Sequence, residues 1–191
     1  MVITYQGDNY FKIQSGESVV LIDPTNTRSF KGANVVLNTI KPATIARPEE
    51  EGVFWIENQG EYEREGIRVE GWSTSHKDGV THTAYQFTME GIEIAVLGHL
   101  TNALAPDVIE KLQDKDILIV PGSGAPYIAP GDIAKTIRQI EPGMVIPSLI
   151  KAAPKKLFDE LNVTPTPEEK ITIKKKDVSP GAMEVRYLKG P

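Results

Sequence analysis

The 191-residue sequence contains no cysteine. That excludes disulfide bonds, thiolate nucleophiles and every metal site built on sulfur, and it is neutral about compartment. Histidine is scarce as well, with three in the chain, at positions 76, 82 and 99. Positive charge is not in excess: 21 Lys and Arg stand against 26 Asp and Glu, for a formal net charge of −5 and a pI near 5.3. Nucleic acid and anionic membranes are recognised through a basic footprint that replaces counterions, so neither is expected as a partner. No apolar run approaches membrane-spanning length, and the opening "MVITYQGDNYFKI" interleaves polar residues where a signal peptide would be continuously apolar. A cytoplasmic location is the resulting expectation. Internal repeats and low-complexity segments are also lacking.

What is present is ordinary globular composition, 40% hydrophobic and 25% charged, enough for one domain over residues 1–191. The first half is a series of short β-type runs, among them "VITY", "YFKIQ", "SVVLIDP", "NVVLNT", "VFWIE", "GIRVEGWST" and "HTAYQFTM", separated by Gly, Asp, Asn or Pro. Glu90-Gly91 between two alternating runs predicts a tight hairpin. After residue 105 the period changes. "APDVIEKLQ" and "APGDIAKTIRQI" carry helical spacing with Pro at the start, and the second predicts a helix over 130–140. The buried strands "DILIVPG" and "MVIPSLI" alternate with them, "PKKLFDELN" adds another helix, and "ITIKKKDV" and "MEVRYL" read as closing strands. Residues 34–39 predict an inner strand. Strands first and alternating helices and strands later suggest an α/β fold, a four-layer α/β/β/α sandwich.

The stretch "NVVLNTIKPATI", residues 34–45, has the outline of an active-site loop following a buried strand, yet Ile40, Pro42, Thr44 and Ile45 offer almost no chemistry. Ser123 in "PGSGAPY" lies between glycines but lacks the nucleophile-elbow pattern, and reads as a tight turn. The residues 122–131 precede a helix whose N-terminus could hold an anion. Glu61 and Glu63 share one strand face, read as an exposed acidic surface. Lys174, Lys175 and Lys176 read as a charge-protected edge strand. Trp55 and Trp72 are expected to pack at the margins of the core, and His82 to lie at a strand edge on the surface.

The ordered pieces "GDNYFKIQSGESVVLIDP", "ANVVLNTIKPATI", "QGEYEREGIRVEGWSTSHKD", "HTAYQFTMEGIEIAVLGHL" and "DILIVPGSGAPYIAPGDIAKTIRQIEPGMVIPSLI" resemble the metallo-β-lactamase-fold hydrolases, over about residues 2 to 150. The branch they are most similar to is that of L-ascorbate-6-phosphate lactonase. The resemblance implies a His-x-His-x-Asp-His metal loop at the positions held here by Ile40, Pro42, Thr44 and Ile45. His76 falls on a further metal-binding His of the family and keeps it. His99 stands where the family has a bridging Asp, Ser148 and Leu149 follow Pro147 where the last His is expected, and Gly7-Asp8 replaces a common Gly-His.

The resemblance therefore implies a pseudoenzyme: no catalytic residue, no cofactor, and a filled metal site in which Ile40 and Ile45 are buried. Such a protein would be retained to bind a small molecule or a protein, and a homo-oligomer is compatible with it. The alternative is a metal-dependent hydrolase of a small phosphorylated or lactone-type substrate. It would hold one zinc or manganese on His76, His99 and Asp23, with His76 and His99 close together.

Overall fold

A computed structural model of the chain describes residues 1–28, 30, 32–47 and 52–190. The first half runs through strands β1 Val2–Tyr5, β2 Phe11–Ser15, β3 Ser18–Ile22, β4 Val35–Leu37, β5 Ile40–Lys41, β6 Phe54–Ile56, β7 Gly60–Arg64, β8 Ile67–Lys77, β9 Val80–Met89 and β10 Ile92–Val96. The second half alternates helix α1 Pro106–Lys111, β11 Ile117–Pro121, α2 Pro130–Ile140, β12 Met144–Ser148 and α3 Lys155–Leu161. Four short strands follow: β13 Pro167–Glu168, β14 Ile171–Thr172, β15 Glu184–Val185 and β16 Tyr187–Leu188. One sheet has the order β14-β1-β2-β3-β4-β6, and the larger one runs β15-β12-β11-β10-β9-β8-β7 with β5 paired to β9.

The two sheets face each other. Alternation along β3 sends Val20 and Ile22 into the space between them and Val19 and Leu21 to the opposite face. Both faces of this strand are buried, which is why "VVLI" is a continuous apolar run. Val35 and Leu37 of the first sheet share the inner core with Val69, Phe87, Ile94, Val96 and Ile119 of the second. Outside the larger sheet, Ile133, Ile137 and Ile140 of α2 join Val108, Leu112 and Leu157 against Leu118, Val120 and Val145. Helix α2 spans the predicted 130–140. Pro130 occupies its first turn, where no N–H is needed, and Glu141 ends it in the left-handed conformation with its N–H donating to the Ile137 carbonyl.

The cover over the outer face of the first sheet is, among the described residues, loop: Phe30, Ala33, Ile45 and Val53 pack with Tyr10, Leu21, Val36 and the β6 residue Trp55. Ile45 is thus half-buried on the far side of the sheet from the inner core. Ile40 is half-buried too, in β5 opposite His82. The expectation that both are buried in a filled metal cavity is corrected by this placement. The loop forms a strand of its own at Ile40 and then crosses to the outer face, because Ile45 gains more contact beside Phe30 and Trp55 than in a polar recess.

The hairpin falls where expected, with Met89 opposite Ile92 and positive φ at both Glu90 (50°) and Gly91 (75°), as a two-residue connection of matching twist requires. The lysine run differs from expectation. Residues 175–177 form a 3-10 turn rather than an edge strand, because Lys175 Nζ reaches the buried Asp116 Oδ2 at 2.5 Å and the Asp177 carboxylate accepts from the Lys174 N–H at 2.9 Å. Trp55 and Trp72 lie half-buried at the core margins, the latter with Lys111 Nζ 5.3 Å from its ring centre. Among the described residues no helix is long and apolar enough to cross a membrane.

Candidate functional site

Three strand ends converge on one buried carboxylate. Asp23 directly follows β3, Thr39 lies two residues beyond β4, and His99 lies three residues beyond β10 in the opposing sheet. Asn9 enters from the loop between β1 and β2. Asp23 is 3% exposed, and its carboxylate accepts from three protein donors: Thr39 N–H to Oδ1 at 2.7 Å, Thr39 Oγ1 to Oδ2 at 2.5 Å, and Asn9 Nδ2 to Oδ2 at 2.6 Å. His99 Nδ1 lies 2.9 Å from Thr39 Oγ1 and 3.6 Å from Asp23 Oδ2.

A threonine hydroxyl has one proton. Thr39 gives it to Asp23, so the His99 contact requires the imidazole to donate from Nδ1, which leaves Nε2 as the unprotonated nitrogen of the neutral ring. Burial pushes the Asp23 carboxyl above the ordinary carboxylate range, opposed by His99 and by its hydrogen bonds from Thr39 and Asn9. The close approach of the β10 end to Thr39 depends on Gly98. It has φ of 56°, and a Cβ there would lie 2.3 Å from Thr39 Cβ and Oγ1.

Around this group is a recess of about 110 Å³, lined by Asp8, Asn9, Asp23, Thr44, His99 and Tyr127 among others. Tyr127 meets His99 edge-on at 5.7 Å, and His82 stacks on the other side at 6.1 Å and 29°. His82 sits on β9 between Ser75 of β8 and Ile40 of β5, with Nδ1 3.0 Å from Ser75 Oγ. It is therefore interior to the sheet rather than at its edge, and the two-residue strand β5 makes it so. Burial followed by the nearby His99 lowers its pKa.

The three residual ligand candidates thus separate. Asp23 and His99 are brought together, whereas His76 is exposed, with Nδ1 2.7 Å from Thr81 Oγ1, and does not line the recess. The imidazole beside His99 is that of His82, which corrects the expected pairing of His76 with His99. Among the described residues no group of three or more His, Asp or Glu is placed to hold a metal ion. The loop after β4 adds little donor chemistry for a divalent ion. Both Asp23 oxygens already accept protein hydrogen bonds, Pro42 has no donor atom, and Thr44 is a single exposed hydroxyl. Nucleophilic catalysis by Thr39 is equally excluded, since its side chain is 0% exposed and its proton goes to a carboxylate that already accepts two other bonds.

A sequence profile for the "Beta-lactamase superfamily domain" matches residues 2–148. The chain belongs to the metallo-β-lactamase superfamily. Solved structures of the superfamily fold superpose along nearly the whole chain. A candidate Zn-dependent hydrolase of the superfamily from Thermotoga maritima gives a TM-score of 0.76 at 21% identity, covering 98% of this chain and 97% of that one. A candidate metal-dependent hydrolase from Parabacteroides distasonis gives 0.69 at 16%, covering 97% and 91%. The metallo-β-lactamase fold protein YhfI from Bacillus subtilis gives 0.67 at 11%, covering 97% and 95%. At these identities the likeness concerns the fold alone. No curated protein matches the chain in sequence.

Thr39, Asn9, His82 and Tyr127 are the members of the site that sequence reasoning missed. Thr39 had a signal, a polar Asn-Thr pair wedged among apolar residues; the other three had none. Glu61 and Glu63 line an open acidic depression with Arg68, which pairs with Glu63 at 3.1 Å, and Ser123 sits exposed in its turn.

Proposed function

We propose that the protein is a non-catalytic member of its superfamily, a pseudoenzyme retained as a binding or assembly module and descended from a branch similar to L-ascorbate-6-phosphate lactonase. The observation that carries this reading is the hydrogen bonding of Asp23. Its carboxylate is closed into the protein by Thr39 and Asn9, and Thr39 in turn holds His99. A metal hydrolase needs about three protein ligands with free lone pairs converging on an open position. Here both Asp23 oxygens are engaged by Thr39 and Asn9, and the loop after β4 supplies mainly apolar side chains.

The test is metal content and hydrolysis measured on untagged protein purified without chelator, then with added zinc and manganese against generic phosphoesters and lactones. The expected result is well under one metal per chain, background turnover, and no change in metal content in His76→Ala or His99→Ala. Stoichiometric metal lost in either variant, with turnover, would establish the alternative, a single-metal hydrolase of a small phosphorylated or lactone-type substrate.

A further inference from the structure

The recess around His99 carries negative charge with no opposing cation among the described residues. Asp23 is 3% exposed and Asp8 stands exposed at the rim, yet no described lysine or arginine lines the recess or pairs with either carboxylate. In its neutral form His99 adds no charge, and a buried carboxylate without a counter-charge is costly. The field reaches Tyr127, whose hydroxyl pKa is raised by burial first and then by Asp8 and Asp23.

Asn9 carries an unmet acceptor as well. It lines the recess at 1% exposure, its Nδ2 is taken by Asp23 at 2.6 Å and Thr39 at 3.3 Å, and its Oδ1 is buried with no hydrogen-bond partner. Turning the amide over would not relieve this, because Oδ1 would then face a carboxylate, acceptor against acceptor. A buried, unpaired carbonyl oxygen calls for a donor from outside the chain. His99 Nε2 calls for one too, since Nδ1 is the nitrogen engaged with Thr39. The third open acceptor is the Asp8 carboxylate: among the described residues only the Asp8 backbone carbonyl accepts, from Tyr5 and Leu149.

We propose that the recess binds the ammonium head of a small primary amine, its N–H groups shared among Asn9 Oδ1, His99 Nε2 and the Asp8 carboxylate and its charge offsetting Asp23. The proposal rests on the non-catalytic reading and gives the retained binding role a ligand class. A primary ammonium has three donors and no acceptor, the complement of this lining. A recess of about 110 Å³ has room for roughly three or four water-sized groups at about 30 Å³ each, and Tyr127 and Leu149 offer a ring and an aliphatic wall to a short carbon chain. Ammonium is satisfied at hydrogen-bond distances by acceptors that stand apart, whereas a metal ion needs its ligands converged within about 2.6 Å.

NMR titration of the intact protein with methylammonium chloride tests this, at pH 8, where a primary amine keeps its proton, with EDTA present and ionic strength held by tetramethylammonium chloride. A saturable shift of the His99 ring and the Asn9 side-chain amide is expected. Tetramethylammonium has the same charge and no N–H, so alone it should give no such shift. Asp8→Asn should weaken binding about tenfold, the scale of losing a charged hydrogen bond. Asp78→Asn removes the same charge from another exposed residue of left-handed backbone, a conformation Asn tolerates, and should leave binding unchanged. A non-saturable shift, an equal shift with potassium chloride, or equal loss in Asp78→Asn would overturn the proposal. Binding seen only without EDTA would overturn it too, by placing a metal in the recess, and would count against the non-catalytic reading. Absence of binding with and without EDTA sinks this proposal alone.

Discussion

Thr39 stands between Asp23 and His99, donating its only proton to the carboxylate at 2.5 Å and accepting from the imidazole at 2.9 Å. Replacing it by Val keeps the shape and removes the link. Thr39→Val should lose about 1–3 kcal/mol in urea unfolding, the scale for stranding buried polar partners, while Thr39→Ser should lose less. Equal stability of the Val variant would mean that the network contributes nothing.

Gly98 lets that link form. Gly98→Ala places a methyl group where Thr39 already sits, in a left-handed backbone that disfavours any side chain. The expected loss is about 2 kcal/mol or more, with the His99 ring resonances shifted in NMR. An unperturbed His99 spectrum would contradict the close packing described here.

His82 predicts a pH dependence. Its pKa is lowered in the fold, so the unfolded chain takes up the proton first as pH falls. Its contribution to stability is therefore complete above the unfolded value of about 6.5 and declines as pH drops below it toward the folded pKa. His82→Gln should flatten the part of the stability curve that falls away below about pH 6.5. An unchanged slope would assign the dependence to another group.

Ile40→His with Pro42→His restores two ligand-type side chains to the loop. Ile40 is only half-buried, so the loss should be about 1 kcal/mol rather than the 1.5–3 kcal/mol of full burial. Zinc should still fail to bind stoichiometrically, because Asp23 stays engaged with Thr39. A variant that melts higher with zinc would show a dormant site.

The fold was legible where local pattern sets structure. The Glu90-Gly91 turn and α2, with Pro130 at its start and apolar residues at helical spacing, needed no distant information. The site was half legible. Apolar and ring side chains at Ile40, Pro42 and Ile45 announced a loop poor in ligands, but their places were set by distant partners: Ile40 pairs with His82 in β9, and Ile45 packs beside Phe30 and Trp55. His82 was misread because its neighbour β5 is two residues long and leaves no periodicity. Lys175 was misread because its partner Asp116 lies 59 residues away.

The two sheets are both completed by the last part of the chain: β14 adds to β1 through Val2 opposite Thr172 and Ile3 opposite Ile171, and β15 adds to β12. During synthesis β1 can pair with β2 at once, but its other edge waits for β14, some 170 positions further along the chain. Over that interval it presents an open row of backbone donors and acceptors, the kind of surface that recruits other chains. The native sandwich closes only when its late strands arrive, so its assembly is governed by contacts of long sequence separation and belongs with the slower folders.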